Sequence, residues 1–272
     1  MKVREALAEA ARRLADRSET PRLDAELLMA QAVGVERETV LLSRLDDEAP
    51  SSFEPLLRRR EAGEPVAYIT GRRGFWSIEL EVAPGVLIPR PESETLIEAA
   101  AEHFGRVGPK RVLDLGTGPG TLLLAALAEW PSATGIGVER SEQALATARR
   151  NSDRLRLSAR AELRPGDWAA GLNERFDLIL CNPPYVEEGA ALAPDILDFE
   201  PHEALFAGAD GLDDYRRLAP EVPRLLAPGG IACIEIGAGQ EGAVSALFAA
   251  RGLSVSSRPD LAGHARCLVL AH

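Results

Sequence analysis

Apolar and polar positions alternate with two different periods along this chain, and the change of period divides it. In the opening stretch Val3, Leu7, Ala10 and Leu14 recur at helical spacing. A second helix is predicted after Ser18 or Thr20, with Pro21 in its first turn and Gly34 as its stop. Val40-Leu41-Leu42 belongs to a third helix, and Pro50-Ser51-Ser52 caps a fourth that runs toward Gly63. Residues 1–73 therefore read as a small helical domain, and no nucleotide-binding or catalytic pattern falls in it. Phe75 to Val82 then alternates as a half-buried strand, Pro84-Gly85 turns, and Val86-Leu87-Ile88 forms a second short strand. Residues 74–90 are thus expected to be a β-hairpin linker. Pro91 opens a helix with Glu92 and Glu94 near its positive end.

From about residue 111, strands and helices alternate, which implies a parallel sheet. The expected strands are 111–115, 134–139, 161–164, 176–181, 230–236, 253–257 and 266–270. The expected helices are 119–130, 141–155, 211–226 and 239–251, with Gly229-Gly230 restarting the chain after a helix. No helix fits between the last two strands, so they make an antiparallel edge hairpin. The fold class is α/β, a seven-stranded mostly parallel Rossmann-like sheet over 91–272 behind an all-α N-terminal domain.

Candidate chemistry sits at the ends of these strands. The first parallel strand runs into Asp114-Leu115-Gly116-Thr117-Gly118-Pro119-Gly120. Glycines there let a backbone approach a ligand closely, and the first βα turn of such a sheet is where nucleotides bind. Pro119 is expected at an early helix position. Asp114 is placed to receive a cationic ammonium, and Glu139 ends the next strand, where an acidic residue accepts from ribose hydroxyls. The bland reading of Glu139 is a salt bridge to Arg140 or Arg111. A dinucleotide fingerprint would need glycine at Thr121, so the spacing favours a single nucleoside with a charged amino-acid tail, S-adenosylmethionine. Asp167-Trp168 follows the third strand, a carboxylate for an adenine amino group beside an indole face. Trp168 reads equally well as a core aromatic. Asn182-Pro183-Pro184-Tyr185 follows the fourth strand. Its two prolines fix φ and remove backbone donors, leaving carbonyls as acceptors beside the Asn182 amide, a grip for a planar –NH₂ group. Taken alone, Asn-Pro is also an ordinary turn opener.

Composition adds exclusions. The net charge is −11, from 31 Lys and Arg against 42 Asp and Glu. This argues against a protein that wraps nucleic acid. Arg58-Arg59-Arg60 and Arg72-Arg73 are tight basic clusters, more plausible as solvated faces than as a docking patch. No apolar run of ~18 residues is long enough to span a membrane. The mixed-charge start predicts no secretory leader. Cys181, Cys233 and Cys267 lie apart in apolar runs and are expected to be reduced buried thiols of a cytoplasmic protein. The histidines show no ligand spacing, so no metal is expected.

Together these residues resemble the seven-stranded S-adenosylmethionine-dependent methyltransferases that act on amino nitrogens. Tyr68-Ile69-Thr70-Gly71, Phe75-Trp76, Leu87 to Glu94, Glu200 to Leu205 and Asp260 to His264 extend the likeness over nearly the whole chain. They make it similar to the bacterial release factor glutamine N5-methyltransferases. The Asn-Pro-Pro-Tyr motif is shared with DNA adenine methyltransferases; the Ile88–Glu94 segment is more specific. Pro119 departs from a small polar residue in many relatives, and Ser93 stands where Thr is frequent. The resemblance implies that class-1 peptide chain release factors are the substrates, at the glutamine of Gly-Gly-Gln, for a monomer that binds no nucleic acid directly. It implies in-line transfer, with Asn182 Oδ1 and the Pro183 carbonyl accepting the two amide hydrogens, Tyr185 packing on the glutamine, and the helical domain docking the substrate or merely capping the fold. The alternatives are an adenine-N6 methyltransferase on DNA or RNA, and a non-catalytic binding module.

Overall fold

Helices at the amino end bury one face each. They are α1 (Val3–Arg13), α2 (Pro21–Val33), α3 (Arg37–Ser43), α4 (Phe53–Glu61) and α5 (Val66–Thr70). Pro21 opens α2, whose missing donor costs nothing there, and Gly34 closes it at φ 75°. Val3, Leu7, Leu14, Leu28, Met29 and Leu57 form the core between them. The computed structural model describes residues 1–272, and residues 1–72 with 192–199 form one compact unit, 73–191 with 200–272 another. The Arg58-Arg59-Arg60 cluster is consumed by pairing. Arg58 binds Glu54 at 3.0 Å, Arg59 binds Glu64 at 2.5 Å, and Arg60 is buried against Asp24 at 2.8 Å.

The second unit begins with a two-stranded ribbon, β1 (Arg72–Phe75) and β2 (Ile78–Glu81), the first residue of which closes the helical unit. A 3₁₀ turn, Pro91–Ser93, leads into α6 (Glu94–Phe104). Then come β3 (Arg111–Leu115), α7 (Thr121–Glu129), β4 (Thr134–Glu139), α8 (Glu142–Arg154), β5 (Ala161–Pro165) and β6 (Phe176–Cys181). After α9 (Pro194–Phe199), which belongs to the helical unit, follow α10 (Asp213–Leu218), α11 (Val222–Leu225), β7 (Leu226–Glu235), α12 (Glu241–Ala249), β8 (Ser254–Pro259) and β9 (Ala265–Ala271). No helix is long and apolar enough to cross a membrane.

The seven strands lie in the order β5-β4-β3-β6-β7-β9-β8. Those from β5 to β7 are parallel, and β9 and β8 are antiparallel. Alternate side chains serve opposite faces. Leu113, Leu115, Ile179 and Cys181 pack with Tyr215, Val222 and Phe248 of α10 to α12, whereas Val112, Leu178 and Leu180 pack with α6 and α7. Burial on both faces is why these strands read as continuous apolar runs. All three cysteines are buried free thiols.

Three local expectations need correction. The expected strand from Phe75 to Val82 is broken by a turn, with Trp76 at φ 52°, and the hairpin pairs 72–75 with 78–81. Val86-Leu87-Ile88 is not a strand: the Ile88 N–H is taken by the Glu200 carboxylate at 3.1 Å. The expected helix 211–226 is split into α10 and α11, since Pro220 between them has no N–H and crowds the preceding turn. In addition, β7 begins at Leu226, and Gly230 lies within it because a Cβ there would sit 2.5 Å from the Asp177 carbonyl oxygen. Pro119 precedes α7, which Gly120 caps at φ 90°.

Asn151 of α8, fully buried, ties the ribbon to the first βα turn. Its Oδ1 accepts from Glu81 N–H at 2.7 Å, and its Nδ2 donates to the carbonyls of Glu81 at 3.0 Å and Pro119 at 2.9 Å. Asn151→Ala is expected to lower unfolding free energy by about 2–3 kcal/mol, because buried partners are left unsatisfied. Urea unfolding checks this, and an unchanged midpoint contradicts it.

Candidate active site

Strand register brings the candidate residues together. Leu115 of β3 lies opposite Val138 of β4 and Cys181 of β6, and Glu139 lies opposite Pro165 of β5. The turns after four strands therefore start in one row: Gly116, Glu139, Gly166-Asp167-Trp168 and Asn182. Strand order reverses between β3 and β6, and in open α/β sheets ligands bind at this switch point, beyond the carboxyl ends.

Two cavities open along this row. The larger spans about 670 Å³, open solvent included, and is lined by Gly116, Gly118, Glu139, Asp167, Trp168 and Pro184, together with Val86, Leu87 and Pro201 from the covering segments. The smaller spans about 400 Å³, open solvent included, and is lined by Asp114, Thr117 and Pro119 on one side and Ile88, Arg90 and Ser93 on the other. Gly116, Gly118 and Asn182 line both. Gly120, Pro183 and Tyr185 line neither.

Asp114 is buried at 1% exposure. Its Oδ2 accepts from the Thr117 hydroxyl at 2.6 Å and the Leu123 N–H at 3.0 Å, while Oδ1 has no partner. Burial pushes its pKa up to about 7; the Thr117 and Leu123 hydrogen bonds pull it back, and the nearby Glu139 charge raises it further. A buried carboxylate with a free oxygen gains from a cation placed beside it.

Glu139 makes no salt bridge to Arg140 or Arg111. Its two oxygens accept from backbone N–H groups instead, Oε2 from Gly118 and Oε1 from Ser141, both at 2.8 Å. Each oxygen keeps a lone pair for a hydroxyl donor. Trp168 is held at φ 50° and its Nε1 donates to Asp214 at 3.0 Å. A Cβ on Gly116 would stand 3.0 Å from the indole Cζ3, so the glycine lets the ring lie close to the turn. The indole is half-buried against the core and also faces the larger cavity. Asp167 is exposed and pairs with Arg217.

Asn182 Nδ2 donates to the Ser93 hydroxyl at 3.2 Å, and its Oδ1 has no partner within the chain. The Pro183 carbonyl receives no hydrogen bond from the chain either. The turn is anchored by Tyr185, whose N–H donates to Leu205 O at 3.2 Å, whose carbonyl accepts from Gln240 Nε2 at 3.0 Å, and whose hydroxyl donates to Glu235 Oε1 at 3.2 Å. Burial and the Glu235 charge hold that phenol protonated. Rather than presenting an open face, Tyr185 is wedged between β7 and the turn.

Sequence reasoning did not single out Glu235, and it quoted Glu200 only within the Glu200–Leu205 segment, without a role. Glu235, 1% exposed, is the acidic residue in an otherwise apolar strand, and that mismatch was its signal. Glu200, side chain 2% exposed, pairs with Arg90 as well as with the Ile88 N–H, holding the 88–90 segment against the smaller cavity.

Residues 5–71 match the PrmC N-terminal domain family and residues 108–250 a methyltransferase domain family. The chain is 44% identical over 256 residues to a release factor glutamine methyltransferase of Caulobacter vibrioides, covering 92% of this chain and 89% of that one. It is 40% identical over 279 residues to one of Moorella thermoacetica, covering 99% and 98%. Among solved structures, a methyltransferase from Pyrococcus furiosus superposes with TM-score 0.53 at 22% identity, over 70% of this chain and 86% of that one. A 16S rRNA methyltransferase of T. thermophilus, in complex with AdoMet and guanosine, gives TM-score 0.53 at 22% identity, over 74% and 49%. These two likenesses show the fold.

The raised pKa of Asp114 sets a pH dependence of stability. Because the folded value lies above the ordinary 3.8, the protonated carboxyl stabilises the fold below that value, and the contribution is lost as pH rises toward about 7. Unfolding free energy is expected to fall over this window by up to ~4 kcal/mol more in the wild type than in Asp114→Asn. Denaturation at intervals from pH 4 to 8 checks it, and parallel curves contradict it.

Proposed function

This chain belongs to the release factor glutamine methyltransferase family, and we propose that it methylates the side-chain amide nitrogen of the glutamine in the Gly-Gly-Gln tripeptide of class-1 peptide chain release factors. It acts as a cytoplasmic monomer. S-adenosylmethionine supplies an electrophilic methyl carbon bonded to a sulfonium. The larger cavity suits its nucleoside: Glu139 accepts from the ribose hydroxyls, the Trp168 indole offers a stacking face, and Asp167 takes the adenine amino group. Asp114, which lines the smaller cavity and has one oxygen without a partner, suits the ammonium of its amino-acid tail. Gly116, Thr117, Gly118, Pro119 and Gly120 supply the close backbone around it.

The observation that carries this reading is a pair of acceptors without donors, Asn182 Oδ1 and the Pro183 carbonyl, in a turn whose asparagine lines both cavities. An amide nitrogen is a poor nucleophile because its lone pair is delocalised into the carbonyl. Two fixed acceptors hold its two hydrogens and favour the rehybridised nitrogen, aiming the lone pair along the attack direction. They bind the developing positive charge more tightly than the ground state. Orientation supplies much of the remaining acceleration. No strong base is required before attack, because the nitrogen proton becomes acidic as the new bond forms. Pro184 walls the amide site, and Tyr185 packs behind the acceptors. The helical unit docks the rest of the protein substrate, since one glutamine offers little binding area.

An adenine amino group would fit the same acceptors. The net charge of −11 and the paired state of Arg58, Arg59 and Arg60 weigh against a nucleic acid substrate.

Mass spectrometry of a release factor incubated with enzyme and S-adenosylmethionine is expected to show one added methyl on the tripeptide glutamine, and duplex DNA and RNA to stay unmodified. Asn182→Ala is expected to lose turnover by on the order of a thousandfold while cofactor affinity stays near wild type. Normal turnover by that variant, or methylation of nucleic acid alone, overturns the reading. Cofactor binding is also expected to release protons near pH 7, since a cation beside Asp114 lowers its pKa. Calorimetry in buffers of different ionisation enthalpy is expected to detect less release in Asp114→Asn. Equal release by the two proteins contradicts the role given to Asp114.

A further inference from the structure

Gln240 opens α12, and no part in binding or transfer has been given to it. A side chain at a helix start ordinarily accepts from the first N–H groups of its own helix, but that of Gln240 makes no such bond. It turns instead to three backbone groups outside the helix. Its Nε2 donates to the Tyr185 carbonyl at 3.0 Å and to the Gly211 carbonyl at 3.3 Å, and its Oε1 accepts from the Gly237 N–H at 3.0 Å. Both amide hydrogens and the oxygen are used, and the three partners fix which way the amide points. Reversed, it would set a donor against the Gly237 N–H and its one acceptor against two carbonyls.

Two glycines make room for this junction. A Cβ on Gly211 would stand 2.3 Å from the Tyr185 carbonyl oxygen and 2.8 Å from Gln240 Nε2. A Cβ on Gly237 would stand 2.8 Å from Gln240 Oε1 and 3.0 Å from Tyr185 Cδ2. Gly211 also sits at φ 69°, whereas Gly237 lies outside the left-handed region, so close contact alone keeps position 237 small. The Tyr185 carbonyl closes the acceptor turn, and only Pro184 separates it from Pro183. Both prolines have a fixed φ. A shift of the Tyr185 carbonyl therefore meets few free torsions before it reaches the Pro183 carbonyl.

We propose that Gln240 is a positioning residue for methyl transfer: it pins the Tyr185 carbonyl to the start of α12 and so holds Asn182 Oδ1 and the Pro183 carbonyl at the spacing that grips a primary amide. Gln240 lines neither cavity, so it acts through the turn and not on the cofactor. The identity of that amide as a glutamine rests on the function proposed above.

The test compares wild type, Gln240→Ala, Gly237→Ala and the double variant in the full chain. Three quantities are read: kcat for methyl transfer to a release factor at saturating cofactor, the Kd of S-adenosylhomocysteine by calorimetry, and the urea midpoint. Gln240→Ala is expected to lower kcat by on the order of a hundredfold, the cost of displacing reacting groups by about 1 Å, while Kd stays near wild type. Gly237→Ala crowds Gln240 and Tyr185 and is expected to lower kcat in the same way. In the Gln240→Ala background it is expected to cost much less, because the side chain it crowds is gone. Where Gln240→Ala does not fold, Gly237→Ala decides by the same split between kcat and Kd. A lowered midpoint with wild-type kcat, a loss carried by weaker cofactor binding, or fully additive losses in the double variant overturns the proposal. A wild type that binds S-adenosylhomocysteine but leaves the release factor unmodified sinks the glutamine assignment instead. Crystal structures of wild type and Gln240→Ala then decide the role of Gln240, and an unmoved Pro183 carbonyl overturns it.

Discussion

The pairing of β3 with β6 governs the chemistry of this molecule. Leu115 faces Cys181 across a parallel ladder, so Gly116 and Asn182 leave the sheet side by side. A slip of one residue would turn the side chains at these strand ends to the opposite face. The register is held because both strands are apolar on both faces and every alternate position is committed to a different core layer. Side chains as far apart as Val112 and Leu180 therefore enforce the spacing between the glycine turn and the acceptor turn. A site built from four separate strand ends needs no long-range contact among its own residues to be assembled.

Two buried carboxylates stand at this edge, each with one oxygen lacking a partner. Asp114 and Glu235 both have pKa values pushed up to about 7 by burial. A core of Leu and Val would be more stable at neutral pH, and residues that cost stability cluster where function requires them. The two differ in surroundings. Asp114 lines the smaller cavity beside the glycine turn. Glu235 lies behind Tyr185, whose hydroxyl donates to it.

Much of this was legible in the sequence because strong local rules agree with the fold. The parallel strands read clearly, since residues such as Val112-Leu113 and Leu178-Ile179-Leu180 are apolar without interruption. The strand ends read clearly because Gly116-Thr117-Gly118 and Asn182-Pro183-Pro184 are turn chemistry that a strand rejects. The ribbon misled because Phe75, Leu80 and Val82 are all buried, which mimics one strand although the chain turns at Trp76. Val86-Leu87-Ile88 misled because its β-branched residues suit a strand, while its Ile88 N–H goes to Glu200, 112 residues away. The membership of α9 in the helical unit depends on tertiary packing and has no local signature.

The central claim is that a carboxamide is gripped by one side-chain oxygen and one main-chain oxygen of the turn that follows β6. A crystal structure with S-adenosylhomocysteine and a Gly-Gly-Gln peptide tests it most directly. The account predicts the glutamine Nε2 at roughly 2.7–3.2 Å from both Asn182 Oδ1 and the Pro183 carbonyl, with the cofactor amino group beside Asp114. A glutamine side chain bound away from Asn182, or an Asn182 nitrogen turned toward it, would contradict the account.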